Sequence, residues 1–516
     1  MKFNEIFISS RSASFELDNN DIYYSKEKYD VYIDDKLIKK DVNTNVFSIF
    51  NLTPNTKYQI QINDFVKTFK TSFESTVLNV KDFGAVGDGK TDDTYALQAA
   101  ISSAPDYATI IIPKGTYYIS PVFLKSNITL DLKKGATLLG NVDRKNYPII
   151  PAYLTMHDGE RVDIGSWEGV PQDIFATILT GIFVENVNII GEGVVDANAQ
   201  NSDWWKYPLT KEGGAYRPRG IYINRGKNIG IQGISVKNTP SWNVHPIYCE
   251  DVKIIDLYLE SDKNSPNTDG CNPESCNGVD IIGVNFSVGD DCIAIKSGKK
   301  HEGMNKPIVC QNLNIRNCHM AYGHGAIVLG SEISGGIKNL NVTQCYFEHT
   351  DRGLRIKTRR GRGRESVIDN VVFDNIYMDH VLSPFTINMF YNCVDPDKHS
   401  EYVWSKEQLP IDDRTPFLGN FTFKNIKADN VHVASAFFYG LPEEPIKSVT
   451  IENVEFNVTT EETTPGKPAM MDHLDPMKQQ GIIAHNVDKL VIRNTSINNQ
   501  QGEAVVKTGV KEFILE

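Results

Sequence analysis

A short unit recurs along most of this chain. It runs from asparagine or another polar residue through apolar-x-apolar to glycine or asparagine, and it is visible from about residue 108 onward. It occurs at Val187-Asn188-Ile189, Ile229-Gly230-Ile231, Val252-Lys253-Ile254, Val279-Asp280-Ile281, Leu313-Asn314-Ile315 and Leu340-Asn341-Val342. It returns at Val371-Val372-Phe373, Phe421-Thr422-Phe423, Val449-Thr450-Ile451 and Leu490-Val491-Ile492. The closest recurrences are 23 to 28 residues apart, and the wider ones leave room for insertions. Strands this short, with no helical segments between them, do not make βαβ units. Propeller blades need longer periods of about 40 residues. The spacing predicts a parallel β-helix, in which each coil stacks its strands on those of the next and buries alternate side chains.

Bulk properties exclude several functions. A net charge of −12 over 516 residues argues against nucleic acid or an anionic membrane as the general partner. No apolar run reaches the roughly 18 residues that a membrane-spanning helix needs. The start, Met1-Lys2-Phe3-Asn4-Glu5-Ile6, has neither a continuous apolar segment nor a small-residue cleavage site. The expected location is cytoplasmic if Met1 is the native start, and secreted or periplasmic if a leader has been removed. The eight cysteines are too sparse for a disulfide scaffold and are expected as buried free thiols. Cys271 and Cys276 lack a second pair at zinc-site spacing.

Residues 1–75 read as a separate unit of short alternating strands, such as Asp30-Val31-Tyr32-Ile33 and Tyr58-Gln59-Ile60-Gln61-Ile62. Within it, Leu52-Thr53-Pro54-Asn55-Thr56-Lys57-Tyr58 has the parts of a tyrosine corner, whose hydroxyl bonds to backbone a few residues upstream. The unit resembles a fibronectin type III domain and carries no catalytic constellation. Residues 76–80 read as a linker, and 76–516 as the β-helix. A glycine-rich turn at 84–89 leads into a helical pattern over 94–102, the expected cap on an otherwise open coil end. Three stretches interrupt the repeat. Residues 141–175 and 384–416 are long enough to carry function, while 459–480 reads as a solvated excursion.

The chemistry-bearing residues lie between the repeats. Asn267-Thr268-Asp269-Gly270 and Gly289-Asp290-Asp291-Cys292 put carboxylates and glycines beside the apolar runs 252–259 and 279–288, where both are poor strand formers. Gly323-His324-Gly325 and Arg355-Ile356-Lys357 follow. Val279 precedes Asp290 by 11 residues, and Leu313 precedes His324 by the same 11. Coils stacked in register therefore place Asp290 and His324 at equivalent points, about 4.8 Å apart along the axis. Asp269 falls one coil earlier and the Arg355/Lys357 pair one coil later, which makes a groove suited to a linear polymer. Consecutive strand residues face opposite ways. Asp290 and Asp291 can share a cleft only if the chain bends, and Gly289 is the residue expected to allow it. From Asp351 to Glu365 there are seven basic residues against two acidic ones. Arg355 and Lys357 read as carboxylate binders, and the stretch 359–364 as a solvated loop. Turn-capping aspartates and a coil histidine are the structural alternatives for Asp269, Asp291 and His324.

These four motifs, in this order over roughly 78–510, resemble those of the polygalacturonases, glycoside hydrolase family 28. Ser241-Trp242-Asn243-Val244-His245-Pro246 and Gly191-Glu192-Gly193-Val194-Val195-Asp196 are also similar to family sequence. The resemblance implies an all-β fold class, a right-handed parallel β-helix preceded by the small fibronectin type III-like β-sandwich. It implies inverting hydrolysis of α-1,4-linked galacturonan, with no cofactor and no metal. The partner is then an anionic oligo- or polysaccharide, with no nucleic acid and no membrane. Asp290 would be the general acid, kept protonated by crowding against two like charges, with Asp269 and Asp291 activating water and His324 tuning the acid. Arg355 and Lys357 would bind the substrate carboxylate, and Asn267 and Tyr391 would contact substrate. The long insertions and the absence of a visible leader favour exo action on oligogalacturonides. The rivals are a pectin-active lyase on the same fold, a rhamnogalacturonan or other pectin-backbone hydrolase, and a non-catalytic carbohydrate-binding β-helix.

Overall fold

The computed structural model describes residues 1–300, 307–392 and 400–516. Phe3–Ile8, Ser12–Leu17 and Val46–Phe50 form one antiparallel sheet. Lys36–Thr44, Tyr24–Ile33, Lys57–Ile62 and Phe65–Lys70 form a second. Alternate side chains of both, among them Phe3, Phe15, Val31, Ile60 and Ile62, fill one core. The Leu-Pro-Tyr spacing makes the expected corner: the Tyr58 hydroxyl accepts from the Thr53 N–H at 2.8 Å. The Tyr58 ring stacks on Phe69 with centroids 5.6 Å apart.

The stretch 76–80 is not a linker. Val77–Asn79 pairs in parallel with Ala108–Ile112 and begins the next sheet, because Leu78 packs against the core it encloses. From there the chain is a parallel β-helix with three ladders of stacked strands. Val187, Ile229, Val252, Val279, Leu313, Leu340, Val371, Phe421, Val449 and Leu490 are successive partners in the first ladder. Every marker of the repeat thus occupies one register. Ile128 and Ala108 extend the ladder upstream, and the insertion at 141–175 hides that continuation from the sequence. In several units the opening polar residue sits in left-handed backbone, as at Asn186, Asn228, Asn339 and Asn370. Asparagine tolerates that conformation, and its amide can bond to the asparagine of the next coil. Asn186 reaches Asn127 at 2.7 Å, and Asn370 reaches Asn339 at 2.8 Å.

The apolar runs 252–259 and 279–288 are each two strands rather than one. Glu250–Ile255 turns into Tyr258–Glu260 at Asp256, whose φ is 55°, and Asn277–Ile282 turns into Asn285–Ser287 at Gly283, whose φ is 69°. Those corners separate the first ladder from the second. Helix Thr94–Ser103 caps the coil end with Leu97, Ala100 and Ile101 buried. The N-terminal sheets are docked against a corner of the β-helix. Phe7 and Val46 pack on Ile190, Ile255 and Ile282, and Arg316 pairs with Glu16 at 2.8 Å. Seven cysteines are buried and free, while Cys393 lies outside the described residues.

Candidate active site

The third ladder carries the site. Cys271, Ile293, Ile327 and Leu354 are successive partners along it. Counting back two residues puts Asp269 and Asp291 in register on adjacent coils, with Gly325 next in line. Counting back one residue more stacks His324 on Asp290. The His324 N–H donates to the Asp290 carbonyl at 3.1 Å, and ring Nδ1 lies 3.3 Å from Asp290 Oδ1. The equal counts of 11 residues therefore describe a real adjacency.

Asp290 and Asp291 do face one cavity, but Gly289 has a different task from the one expected. Its φ is not in the left-handed region. A Cβ there would meet the Asp262 carbonyl at 2.5 Å and the Ser265 carbonyl at 2.6 Å. Glycine is needed for close backbone approach, not for the bend itself. Gly325 has a similar reason, since a Cβ there would meet Val328 at 2.5 Å.

The carboxylates differ in charge. Asp269 is 4% exposed, and burial together with Asp290 and Asp291 pushes its carboxyl up to about 8. Asn272 Nδ2 donates to it at 2.7 Å. Asp291 is 2% exposed. Burial opposes its charge, but Lys357 and then Arg355 outweigh burial and hold the carboxyl down to about 2. Lys357 Nζ donates to Asp291 Oδ2 at 2.7 Å, and Arg355 Nη1 to Oδ1 at 3.3 Å. The expectation that crowding would lift a carboxyl is met at Asp269. The His324 imidazole is raised above its ordinary value, first by its hydrogen bond to Asp290.

All of Asn267, Asp269, Asp290, Asp291, His324, Arg355, Lys357 and Tyr391 line one cavity of about 640 Å³. Asn267 has a φ of 55°, and its side-chain oxygen accepts from Arg217 Nη2 at 2.7 Å. Tyr391 is buried beside Thr358, whose carbonyl accepts from its N–H at 2.9 Å, and its ring lies 6.0 Å from Lys357 Nζ. Arg355 and Lys357 do not stand free for a ligand, because Asp291 holds both.

Two segments depart from their sequence expectations. The segment 459–480 is not a solvated excursion. Its Met470 lines the cavity with Sδ 2.8 Å from Arg355 Nη2, and Pro468 accepts from Arg352 Nε at 3.2 Å. Nor is 359–364 a solvated loop. Arg360 is 1% exposed because Glu443 satisfies its fork at 2.6 and 2.9 Å, the pairing that makes a buried guanidinium tolerable. Sequence reasoning also missed several wall residues. Lys296 lies on the third ladder beside Gly330 and Lys357, its Nζ 2.7 Å from Glu332 Oε2 and 4.7 Å over the Trp242 ring. Its position three residues after Ile293, matching Lys357 three after Leu354, was the available signal. Trp167 and Glu168 arrive on the 141–175 insertion, whose length had marked it as able to carry function. An ionised carboxylate beside a protonated one, open to a cleft rich in cations, is equipped for acid–base chemistry on an anionic ligand.

A family model described as Glycosyl hydrolases family 28 matches residues 107–464. A probable polygalacturonase of Vitis vinifera is 29% identical over 383 residues, covering 73% of this chain and 73% of that one. An exopolygalacturonase of Zea mays is 26% identical over 408 residues, covering 76% of this chain and 87% of that one. Among solved structures, the family 28 exopolygalacturonase of Yersinia enterocolitica aligns with a TM-score of 0.72 at 20% identity, over 99% of this chain and 98% of that one. That last likeness is one of fold.

Proposed function

The chain belongs to glycosyl hydrolases family 28, and from that premise we propose that it hydrolyses α-1,4 bonds between galacturonic acid units, with inversion and from one end of the polymer. The observation that carries this reading is the divergent pair Asp269 and Asp291, on adjacent coils beside Arg355 and Lys357. Inverting hydrolysis needs one carboxyl to protonate the leaving oxygen and another to activate water. Asp290 is half-buried and open to the cavity, so it is the member able to reach a glycosidic oxygen. Its contact with His324 suits the imidazole to orient and tune it. Asp291, held ionised, takes the proton of the attacking water, and Asp269 orients that water. Burial and the neighbouring carboxylates favour a proton on Asp269, and the reaction requires one on Asp290. Arg355 and Lys357 recognise the sugar carboxylate, and Asn267 and Tyr391 contact the sugar.

Exo action is supported by the closure of the groove. Glu168, on the 141–175 insertion, lies 3.6 Å from Lys299, which lies 3.7 Å from Glu332. Met470 closes over Arg355 from another insertion. The cavity they bound is of a size that encloses a small ligand rather than a long chain. The Zea mays relative named as an exopolygalacturonase adds to this support. Digestion of polygalacturonate, with products followed over time, tests the proposal. Short products alone from the first minutes are expected. An early ladder of intermediate oligomers overturns exo action, and no release of reducing ends overturns the substrate.

A further inference from the structure

Asp291 occupies the two cations that substrate recognition requires. Both of its oxygens are engaged, one by Lys357 at 2.7 Å and one by Arg355 at 3.3 Å. All three side chains are buried and line the same cavity. Gly325 lies between them: a Cβ there would be 3.4 Å from Asp291 Oδ1 and 3.6 Å from Arg355 Cβ. The other charges acting at Asp291 are the carboxylates Asp269 and Asp290, the cations Lys296 and Arg352, and the His324 ring. A carboxylate paired this way is a poor proton acceptor, because its lone pairs are taken and its charge is neutralised.

We propose that the carboxylate of the sugar being cleaved draws Lys357 and Arg355 off Asp291, so that the free-acid form of the substrate switches on the base that hydrolyses it. This deepens the galacturonan reading above and rests on it. An incoming carboxylate offers Arg355 the same planar acceptor that Asp291 does, so the exchange costs little geometry. Asp291, parted from its cations while Asp269 and Asp290 stay beside it, gains basicity. The water then gives its proton to Asp291, and its oxygen bonds to the anomeric carbon. The glycosidic C–O bond breaks, and the leaving oxygen takes the proton of Asp290. A methyl ester carries no charge and cannot compete for the two cations. Esterification should therefore lower kcat itself, beyond any weakening of binding.

The test compares trigalacturonate with its methyl ester in steady-state kinetics. On the wild type, kcat for the ester is expected to be lower by about a hundredfold or more. Lys357→Met should raise KM for the free acid and narrow the acid-to-ester kcat ratio to about tenfold or less. Lys357→Arg keeps a cation and should keep the wide ratio. An ester that changes only KM on the wild type overturns the switch without any variant. So does a folded Lys357→Met enzyme with the wild-type ratio. A wild type that leaves the free acid intact overturns the galacturonan reading, and the switch falls with it.

Discussion

Asp269 and Asp291 occupy one register on neighbouring coils, and their chemistry is opposite. Asp269 is lifted to about 8 by burial and by the two carboxylates beside it, with neutral Asn272 as its hydrogen-bond donor. Asp291 is held to about 2 by Lys357 and Arg355. The residue type, the backbone setting and the burial are alike. The difference comes from what the following coils present. Asp291 looks across Gly325 toward the Arg355 strand, whereas the coil after Asp269 presents Asp291 and Asp290. In a stacked fold, a side chain takes its charge state from the coils next to it more than from its own sequence neighbours.

Isosteric substitution breaks this comparison most directly. Asp291→Asn strands two buried cations, and should destabilise the protein by about 3 kcal/mol or more while lowering kcat by about a hundredfold or more. Asp269→Asn replaces a carboxyl that is already protonated at neutral pH, so its stability cost should stay under about 1 kcal/mol even though kcat falls. Denaturant unfolding of both variants checks the contrast, and equal losses would end it. Gly325→Ala comes next. Its Cβ would press on Val328 at 2.5 Å and enter the gap between Asp291 and Arg355, so a loss of about 1–3 kcal/mol is expected together with a higher KM.

The same contrast should appear as a change of slope with pH. A carboxyl raised in the folded state contributes stability that declines as pH rises from its unfolded value toward its folded one. Asp269 should therefore make the wild type progressively less stable from about pH 4 to about pH 8. A depressed carboxyl does the reverse. The contribution of Asp291 is complete above about pH 4 and is lost as pH falls toward 2. Melting temperatures across pH should show the upper decline flattened in Asp269→Asn and the acid limb weakened in Asp291→Asn. Unchanged profiles would refute the assigned charge states.

The spacing of the repeat already implies coils, and with coils comes the stacking of His324 on Asp290, since equal counts from an in-register strand land on the same point of the next turn. The tyrosine corner is legible for a like reason: a hydrogen bond across five residues depends on local chain alone. The candidate residues stood out because carboxylates and glycines interrupt strand-forming sequence. Which charges pair could not be read this way. Lys357 meets Asp291 from 66 residues away, Met470 meets Arg355 from 115, and Glu443 meets Arg360 from 83. The lengths of the insertions between them obey no period, so their docking leaves no signal in the pattern. The reason for Gly289 was hidden as well, because nothing local shows that two carbonyls from the preceding coil press against it. The coil and the inventory of its site follow from periodicity and residue type alone. Which carboxyl keeps its proton depends on the summed field of side chains distant in sequence, so it emerges only once the coils are stacked.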